Sequence, residues 1–437
     1  MHKILFYILL NGCLLIINFS IAQEISFDLG EPIFVSVPDV EISPFFPDGH
    51  IAFIIDDEQY QMYWVGSNSS KTIGQDVSSM SSSMVVISEG ESGSFDNGGA
   101  WLMSVFRQNQ DTLIGFYHAE DHEFASDPSS DFIAWKSIAL CKSYDNGSTW
   151  HKQGQIITSS TPKPDLPTWG GNGDHCVIWD TINSRWICFY QEHYLMMAVS
   201  YDQNANPGSW LKYYNGEYTE PGLDGENSPI PALINHPGGN PSVHYNTYLQ
   251  FWVMLWHTWE GHSEYPKSIW LSTSTDLISW TNPMIVINSE SNERYWYPTI
   301  IGNTDVEAEQ TAILYYAHFP DINNWERSFV KRSITFNQSD ELSINNNIIP
   351  NNYSISRIYP NPFNPITQIT YGLPQNSNIL ISAYDLSGKH LNTIIEGYMT
   401  AGFHNISWNA SYYPSGVYLI RMESGSFTQT QKVVLVK

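Results

Sequence analysis

Basic residues are scarce in this chain: 19 Lys and Arg stand against 44 Asp and Glu, a formal net charge of −25 over 437 residues. The imbalance runs along the whole sequence, and such a field repels nucleic acid and anionic membrane surfaces, so neither is an expected partner. A neutral or cationic ligand is easier to accommodate than a polyanion. Cysteine is scarce as well. Cys13, Cys141, Cys176 and Cys188 are all there are, and their spacing fits no zinc pattern. Beyond the N-terminus no run is apolar enough to cross a bilayer, so no transmembrane segment is expected in the mature chain.

What is present begins with export. His2 and Lys3 precede an apolar run from Ile4 to Phe19, and Ser20-Ile21-Ala22 supplies the small residues of a cleavage site. Residues 1–22 are therefore expected to be a signal peptide, too short and too interrupted by Asn11, Gly12 and Asn18 to span a membrane. Cleavage removes Cys13 and leaves three cysteines, of which at least one must stay a free thiol. Cys176 and Cys188 flank a predicted hairpin and are the best candidate pair for a disulfide, but the expected state of all three is that of small buried apolar residues.

Aromatics make up 14% of the chain, enough for a large core, and they recur in a pattern. Five Gly- or Pro-flanked apolar strands stand at Gly49 to Ile55, Gly99 to Phe106, Gly173 to Trp179, Pro241 to Tyr245 and Tyr297 to Gly302. Each is followed, after a turn, by an aromatic-rich strand: Gln61 to Gly66, Leu113 to His118, Trp186 to His193, Gln250 to Thr258 and Thr311 to Phe319. Repeats of ~55–60 residues with this strand order predict an all-β fold, a five-bladed β-propeller over residues 23–336, with a two-sheet sandwich as the alternative. Ile33 to Val37 is expected to close the last blade.

Three repeats end their third strand in a turn closed by tryptophan. Ser143-Tyr144-Asp145-Asn146-Gly147-Ser148-Thr149-Trp150 fits the Asp-box pattern Ser-x-Asp-x-Gly-x-Thr-Trp throughout, and degenerate versions run from Ser200 to Trp210 and from Ser274 to Trp280. Asp145 should fold back on its own turn, Gly147 should take a positive φ, and Trp150 should pack under the hairpin. This is a staple of architecture, with no chemistry assigned.

An asparagine-rich tether over residues 337–354 separates a second unit, residues 355–437, whose short strands between turn residues predict a small β-sandwich of immunoglobulin-like type. Tyr359-Pro360-Asn361-Pro362-Phe363-Asn364-Pro365, the Tyr384 to Gly388 turn, Ala401-Gly402 with His404 and Trp408, and Ser415-Gly416-Val417-Tyr418 follow one another in order. This segment resembles the type A sorting domain of type IX secretion. The resemblance implies transport across the outer membrane, the secretion machinery as a partner, a secreted or surface-attached product, and no catalysis in this unit.

Function is thus expected in the propeller, at the channel mouth where inner strands begin and second strands end. Inner-strand starts bring Asp48, His50, Asp96, Asp174, His175 and Glu293; second-strand ends bring His118, Glu120, Asp121, His122, Glu192, His193, His257 and His318. The layout resembles glycoside hydrolases of families 43 and 32, and the Asp box is similar to that of sialidases. Gly170-Gly171-Asn172-Gly173-Asp174, Phe116 to Glu120 and the stretch from Pro241 through His244 to Leu249 resemble uncharacterised glycosidase-like bacterial proteins. Sialidase activity, which uses three arginines, is not expected, because few of Arg107, Arg185, Arg294, Arg327 and Arg332 fall at mouth positions. Pro47-Asp48-Gly49-His50 replaces the family 32 signature, and fructosidase activity is not expected either.

The leading expectation is a monomeric glycoside hydrolase acting on an extracellular oligo- or polysaccharide, for which two carboxyl groups must act on one bond in opposite protonation states. Asp174 is the expected ionised member, Glu120 the acid with its pKa raised by Asp121, and Glu192 a third, orienting carboxylate. His118, Asp121, His193, His244, His257 and Glu293 are expected to bind substrate, with Trp256 and Trp296, alongside Trp64 and Trp259, stacking on sugar rings. A non-catalytic carbohydrate-binding propeller is one alternative. Another is a lyase or hydrolase with a divalent ion held by His118, His193, His257 and His318; no cofactor is required by the sequence.

Overall fold

Short β-branched and aromatic runs, broken by Gly, Pro, Asn and Asp turns, fold as strands almost throughout. The computed structural model describes residues 25–35, 46–56, 59–66, 68–75, 80, 83–125, 133–258, 267–289, 292–321, 323, 325–338, 352–359 and 361–437. The expected signal peptide and most of the expected tether lie outside these. No helix among the described residues is long and apolar enough to cross a membrane.

Five sheets follow one another along the chain with mainly antiparallel strands in sequence order; Trp169–Gly171 and Glu307–Ala308 add parallel pairs to the second and fourth, and N-terminal strands join the last. Their inner and second strands are Ala52–Asp56 with Gln59–Val65, Gly99–Arg107 with Leu113–Asp121, Gly173–Asp180 with Arg185–Glu192, Gly238–Asn246 with Phe251–Thr258, and Arg294–Ile301 with Thr311–Phe319. These are blades 1 to 5. The third strand of blade 5, Ser328–Gln338, reaches two residues into the expected tether. Its outer partner is Ile25–Leu29, paired from Ile25 opposite Gln338 to Leu29 opposite Ile334. The closing strand therefore starts eight residues earlier than expected, and Ile33–Phe34 adds only a short second contact with the same strand.

Side-chain alternation along each inner strand serves two blade interfaces at once. In blade 3, Val177 joins Ile114, Phe116 and Leu140 of blade 2, whereas Cys176 and Ile178 join Val243, Met254 and Trp256 of blade 4. Separate clusters fill the interfaces of blades 1 with 2 and 4 with 5, and Phe53, Met62 and Trp64 of blade 1 meet Ile301, Tyr315 and Phe329 of blade 5. That last cluster closes a five-membered ring.

Polar stitches add to the apolar ones. The backbone N–H groups of Val177, Ile300 and Ile51 donate to Ser104 Oγ, Ser242 Oγ and Thr299 Oγ1 of the preceding blades at 3.0, 3.3 and 3.2 Å, and Val243 N–H donates to Cys176 Sγ at 3.4 Å. Cys176 is thus occupied as a thiol. Cys141, Cys176 and Cys188 are all free and buried, so the Cys176–Cys188 pair does not form. Opposite one another in the ladder are Cys176 with Phe189 and Val177 with Cys188, and the alternation that seats Cys176 against blade 4 turns Cys188 toward blade 2.

The Asp-box turn folds as anticipated. Asp145 Oδ1 accepts from the N–H groups of Ser148 and Thr149, Oδ2 accepts the Thr149 hydroxyl at 2.7 Å, and Gly147 has φ +78°. Trp150 meets Tyr63 of blade 1 edge to face, 5.8 Å between centroids. Around Asp202 and Asp276 the carboxylates likewise cap their own turns.

The C-terminal unit is a sandwich of a three-stranded and a four-stranded sheet. Motif residues supply its core: Trp408 packs on Phe363 and Tyr418, within a cluster that includes Ile381, Ile420 and Val433. The Tyr384 to Gly388 segment ends its strand in a turn where Asp385 Oδ1 accepts from Ser387 and Lys389 N–H, with Gly388 at φ +82°.

Candidate functional site

The second strand of blade 2 ends in His118-Ala119-Glu120-Asp121-His122. Period two puts His118 and Glu120 on one face and turns Asp121 to the other. His118 Nε2 lies 3.0 Å from Glu120 Oε1, and His122 Nε2 lies 2.8 Å from Glu120 Oε2. On its other edge, His118 Nδ1 lies 3.1 Å from Asp174 Oδ1 at the start of blade 3. A Cβ on Gly173 would stand 2.5 Å from His118 Cε1, so only glycine lets Asp174 come this close.

This chain of groups fixes its own charges. Burial disfavours the charged ring of His118, but the hydrogen bonds and charges of Asp174 and Glu120 override it and lift its pKa to about 9. The Asp174 backbone N–H also points at Nδ1, at 3.0 Å, and this one dipole opposes the two carboxylates that favour the charged ring. Burial also opposes ionisation of the two acids, yet His118, with Lys136 adding its charge, holds both Asp174 and Glu120 down at about 2.

The acid assignment is corrected on this point. Glu120 is held ionised, and Asp121, expected to raise it, instead accepts from Asn97 Nδ2 at 2.7 Å and pairs with Lys163 Nζ at 2.6 Å. Asp174 and Glu120 are instead both bonded to the His118 ring, at 3.1 and 3.0 Å.

Asp48, at the start of blade 1, behaves differently. Burial raises its pKa despite Arg327 Nη1 at 2.9 Å and the Tyr297 hydroxyl at 3.0 Å, and the Glu120 charge adds to the rise. It still leaves 31% of its side chain accessible. Tyr297, bonded to Asp48, also lies within the field of Asp174. The backbone N–H of Tyr297 donates to His257 Nδ1 at 3.3 Å, and the His257 ring stacks on Trp296, 5.1 Å between centroids. Burial drives His257 down to about 3, so it is neutral. Asp48, Glu120, Asp174, His118, His257, Tyr297 and Trp296 are thus brought together from all five blades.

Other expected residues lie elsewhere. Glu192 is buried with Ser159 Oγ and Asn227 Nδ2 as its partners, and no hydrogen bond joins it to Asp174 or Glu120. His193 is exposed in the turn after it, at φ 64°. Glu293 and His318 form their own group at blade 5, with Glu293 bonded to the Tyr295 hydroxyl and His318 stacked on Tyr295.

Four expectations, at His244, Trp256, Trp64 and His50, fail for one reason, which is that their side chains face blade interfaces. His244 is fully buried with its ring 6.0 Å from Phe336, and burial lowers its pKa to about 3. Trp256 and Trp64 belong to interface cores, not to a sugar platform. His50 donates from Nδ1 to Met103 O. Asp96 is taken by Lys152 and the Tyr117 hydroxyl. Trp259 lies outside the described residues. No three His, Cys, Asp or Glu side chains converge as a metal site among the described residues, and the four-histidine ring does not assemble.

The sequence reading passed over Arg327, Tyr297 and Lys136. Nothing in the sequence marks Arg327, whereas the alternation of His118, Glu120 and His122 along one strand was a readable signal for their mutual contact.

Several solved structures resemble the chain at low identity. They include an exo-1,5-α-L-arabinanase from a bovine ruminal metagenomic library, 11% identical with TM-score 0.45, over 66% of this chain and 93% of that one. An exo-β-1,3-galactanase from Phanerochaete chrysosporium is 9% identical with TM-score 0.45, over 92% and 100%. An α-L-arabinofuranosidase from Coprinopsis cinerea is 12% identical with TM-score 0.43, over 71% and 96%. No curated protein matches. Residues 357–437 match the family described as Secretion system C-terminal sorting domain, and the chain is accordingly exported by type IX secretion to the cell surface or the extracellular space.

Proposed function

We propose that the propeller is a glycoside hydrolase that cleaves an extracellular oligo- or polysaccharide, with Asp48 and Asp174 as its two carboxyl groups. The observation that carries this is that two carboxyl groups at one mouth are shifted in opposite directions: burial raises the pKa of Asp48 even beside Arg327, and His118 holds that of Asp174 down. Hydrolysis needs that division.

Asp48 donates its proton to the departing glycosidic oxygen. Asp174 takes a proton from the attacking water, or attacks the anomeric carbon itself before water completes the exchange. Glu120 is a positioning residue: through His118 it fixes the Asp174 carboxylate in place and charge. Trp296 is half-buried at the mouth, with His257 stacked on its ring and the Arg294 guanidinium 4.4 Å from its centroid.

A glycan-panel digestion by the mature chain tests the reading. Wild type should release reducing ends from one glycan class, and Asp174→Asn and Asp48→Asn should each lower the rate by about 10²–10⁴. Binding of a glycan without any release of reducing ends would make this a carbohydrate-binding propeller. Full activity in both variants would remove these residues from the chemistry.

A further inference from the structure

Beside the mouth, between blade 2 and the segment leading to blade 3, lies a cleft of about 440 Å³. That is a size typical of small-molecule sites. Its lining includes Trp135, Lys136, Gln155, Ser160, Thr161 and Asp224. None of these belongs to the carboxylate pair at the mouth.

The charges in this wall are matched within the protein. Lys163 pairs with Asp121 at 2.6 Å. Lys136 lies in the field of Glu120 and Asp174, with its ammonium 5.3 Å from the Trp169 ring centroid. Asp224 accepts the Thr158 hydroxyl at 2.8 Å and is offset by the buried Lys212. An ion would find no surplus charge to recognise. What the cleft does offer are hydroxyls, an amide and the indole of Trp135, with Trp169 outside the lining and next to it through Lys136. Trp135 is half-buried against Phe124, and Trp169 is 55% exposed on a strand that pairs alongside blade 2. Ring faces beside a polar rim complement a neutral polyol, which presents C–H faces and equatorial hydroxyls.

The cleft also adjoins the mouth. Lys136 stands directly opposite Glu120 in the ladder of blade 2, and cross-strand neighbours are about 5 Å apart, close to the length of one sugar unit. Ser159, in the same lining, holds Glu192 at the mouth end of blade 3.

We infer that this cleft is a secondary saccharide-binding site for one or two neutral sugar units of a chain whose neighbouring linkage lies at Asp174. The link to Asp174 rests on the hydrolase reading; the binding itself does not. The Trp135 face holds a ring within the cleft, Gln155, Thr161 and Asp224 take its hydroxyls, and the exposed Trp169 beside Lys136 meets the next unit of the chain.

The test uses the full mature chain with neutral xylo-, arabino- and β-1,3-galacto-oligosaccharides of two and five units, and with oligogalacturonate. Binding is measured calorimetrically in an Asp174→Asn background, and KM and kcat are measured in an otherwise unaltered one. Trp169→Ala, at an exposed position, and Trp135→Ala should each raise Kd and KM for a five-unit neutral chain by about 10-fold, leaving two-unit chains and kcat unchanged. Unaltered five-unit binding in Trp169→Ala, binding of no neutral chain, or tighter binding of oligogalacturonate would overturn the inference. Tryptophan-sensitive, length-dependent binding with no hydrolysis would keep the cleft and discard the hydrolase; hydrolysis indifferent to both tryptophans would do the reverse.

Discussion

The propeller and the sorting sandwich are built from the same kind of strand, yet they treat charge in opposite ways. The propeller draws ionisable groups inward, with His118, Glu120 and His257 all buried at one mouth and Asp174 nearly so. The sandwich keeps a core of Ile, Tyr, Trp and Val and leaves Arg421 and Glu423 paired at its surface, 38% and 34% exposed. Burying charge costs free energy unless partners offset it, so a buried and mutually compensated cluster marks where chemistry is prepared. The sandwich carries no such cluster among its described residues.

Separating the two units should have the largest effect. Deleting residues 357–437 is expected to abolish appearance at the surface or in the medium while leaving the propeller folded, because the sandwich core is a cluster of its own. Fractionation of expressing cells reads the first outcome and circular dichroism the second; undiminished export of the truncated chain would break the comparison.

Next in size is a contrast inside the propeller. Trp256→Ala opens the interface of blades 3 and 4 and should cost about 3–5 kcal/mol in denaturant unfolding, whereas Trp296→Ala, at the half-open mouth, should cost far less and instead weaken saccharide binding.

Stability should also depend on pH through the mouth. The folded pKa of His118 is raised, so its contribution is complete below the unfolded value of about 6.5 and is lost as pH rises through about 9. Those of Asp174 and Glu120 are depressed, so their contributions are present above about 4 and are lost as pH falls through about 2. Melting curves of mature chain and His118→Gln across these windows should converge above pH 9; parallel curves throughout would contradict the imidazolium. The smallest effect belongs to the exposed Asp-box staple, where Asp145→Ala should cost about 1 kcal/mol in the same unfolding assay.

Much of the architecture was legible because Gly and Pro punctuate the inner strands and alternation marks their faces. The closing strand was not, since Ile25–Leu29 and Ile33–Phe34 are both short, and register against Ser328–Gln338 decides between them. At the mouth, residue type was a poor guide to role. His118 and His244 differ only in whether the alternation turns them to a carboxylate or to Phe336. Trp256 and Trp296 differ in the same way. Glu120 was misread because Asp121 is its neighbour in sequence, while in a strand the neighbours that share its face are His118 and His122. Arg327 reaches Asp48 across 279 residues, a contact that no local pattern announces.

The central claim is that a protonated His118 holds Asp174 ionised while Asp48 stays available as the acid. ¹⁵N imidazole shifts of His118, followed against pH in the mature chain and in Glu120→Gln, test it most directly. The account predicts a doubly protonated ring up to about pH 9 that titrates earlier when Glu120 is neutralised. A ring that titrates near 6.5 in both would contradict it.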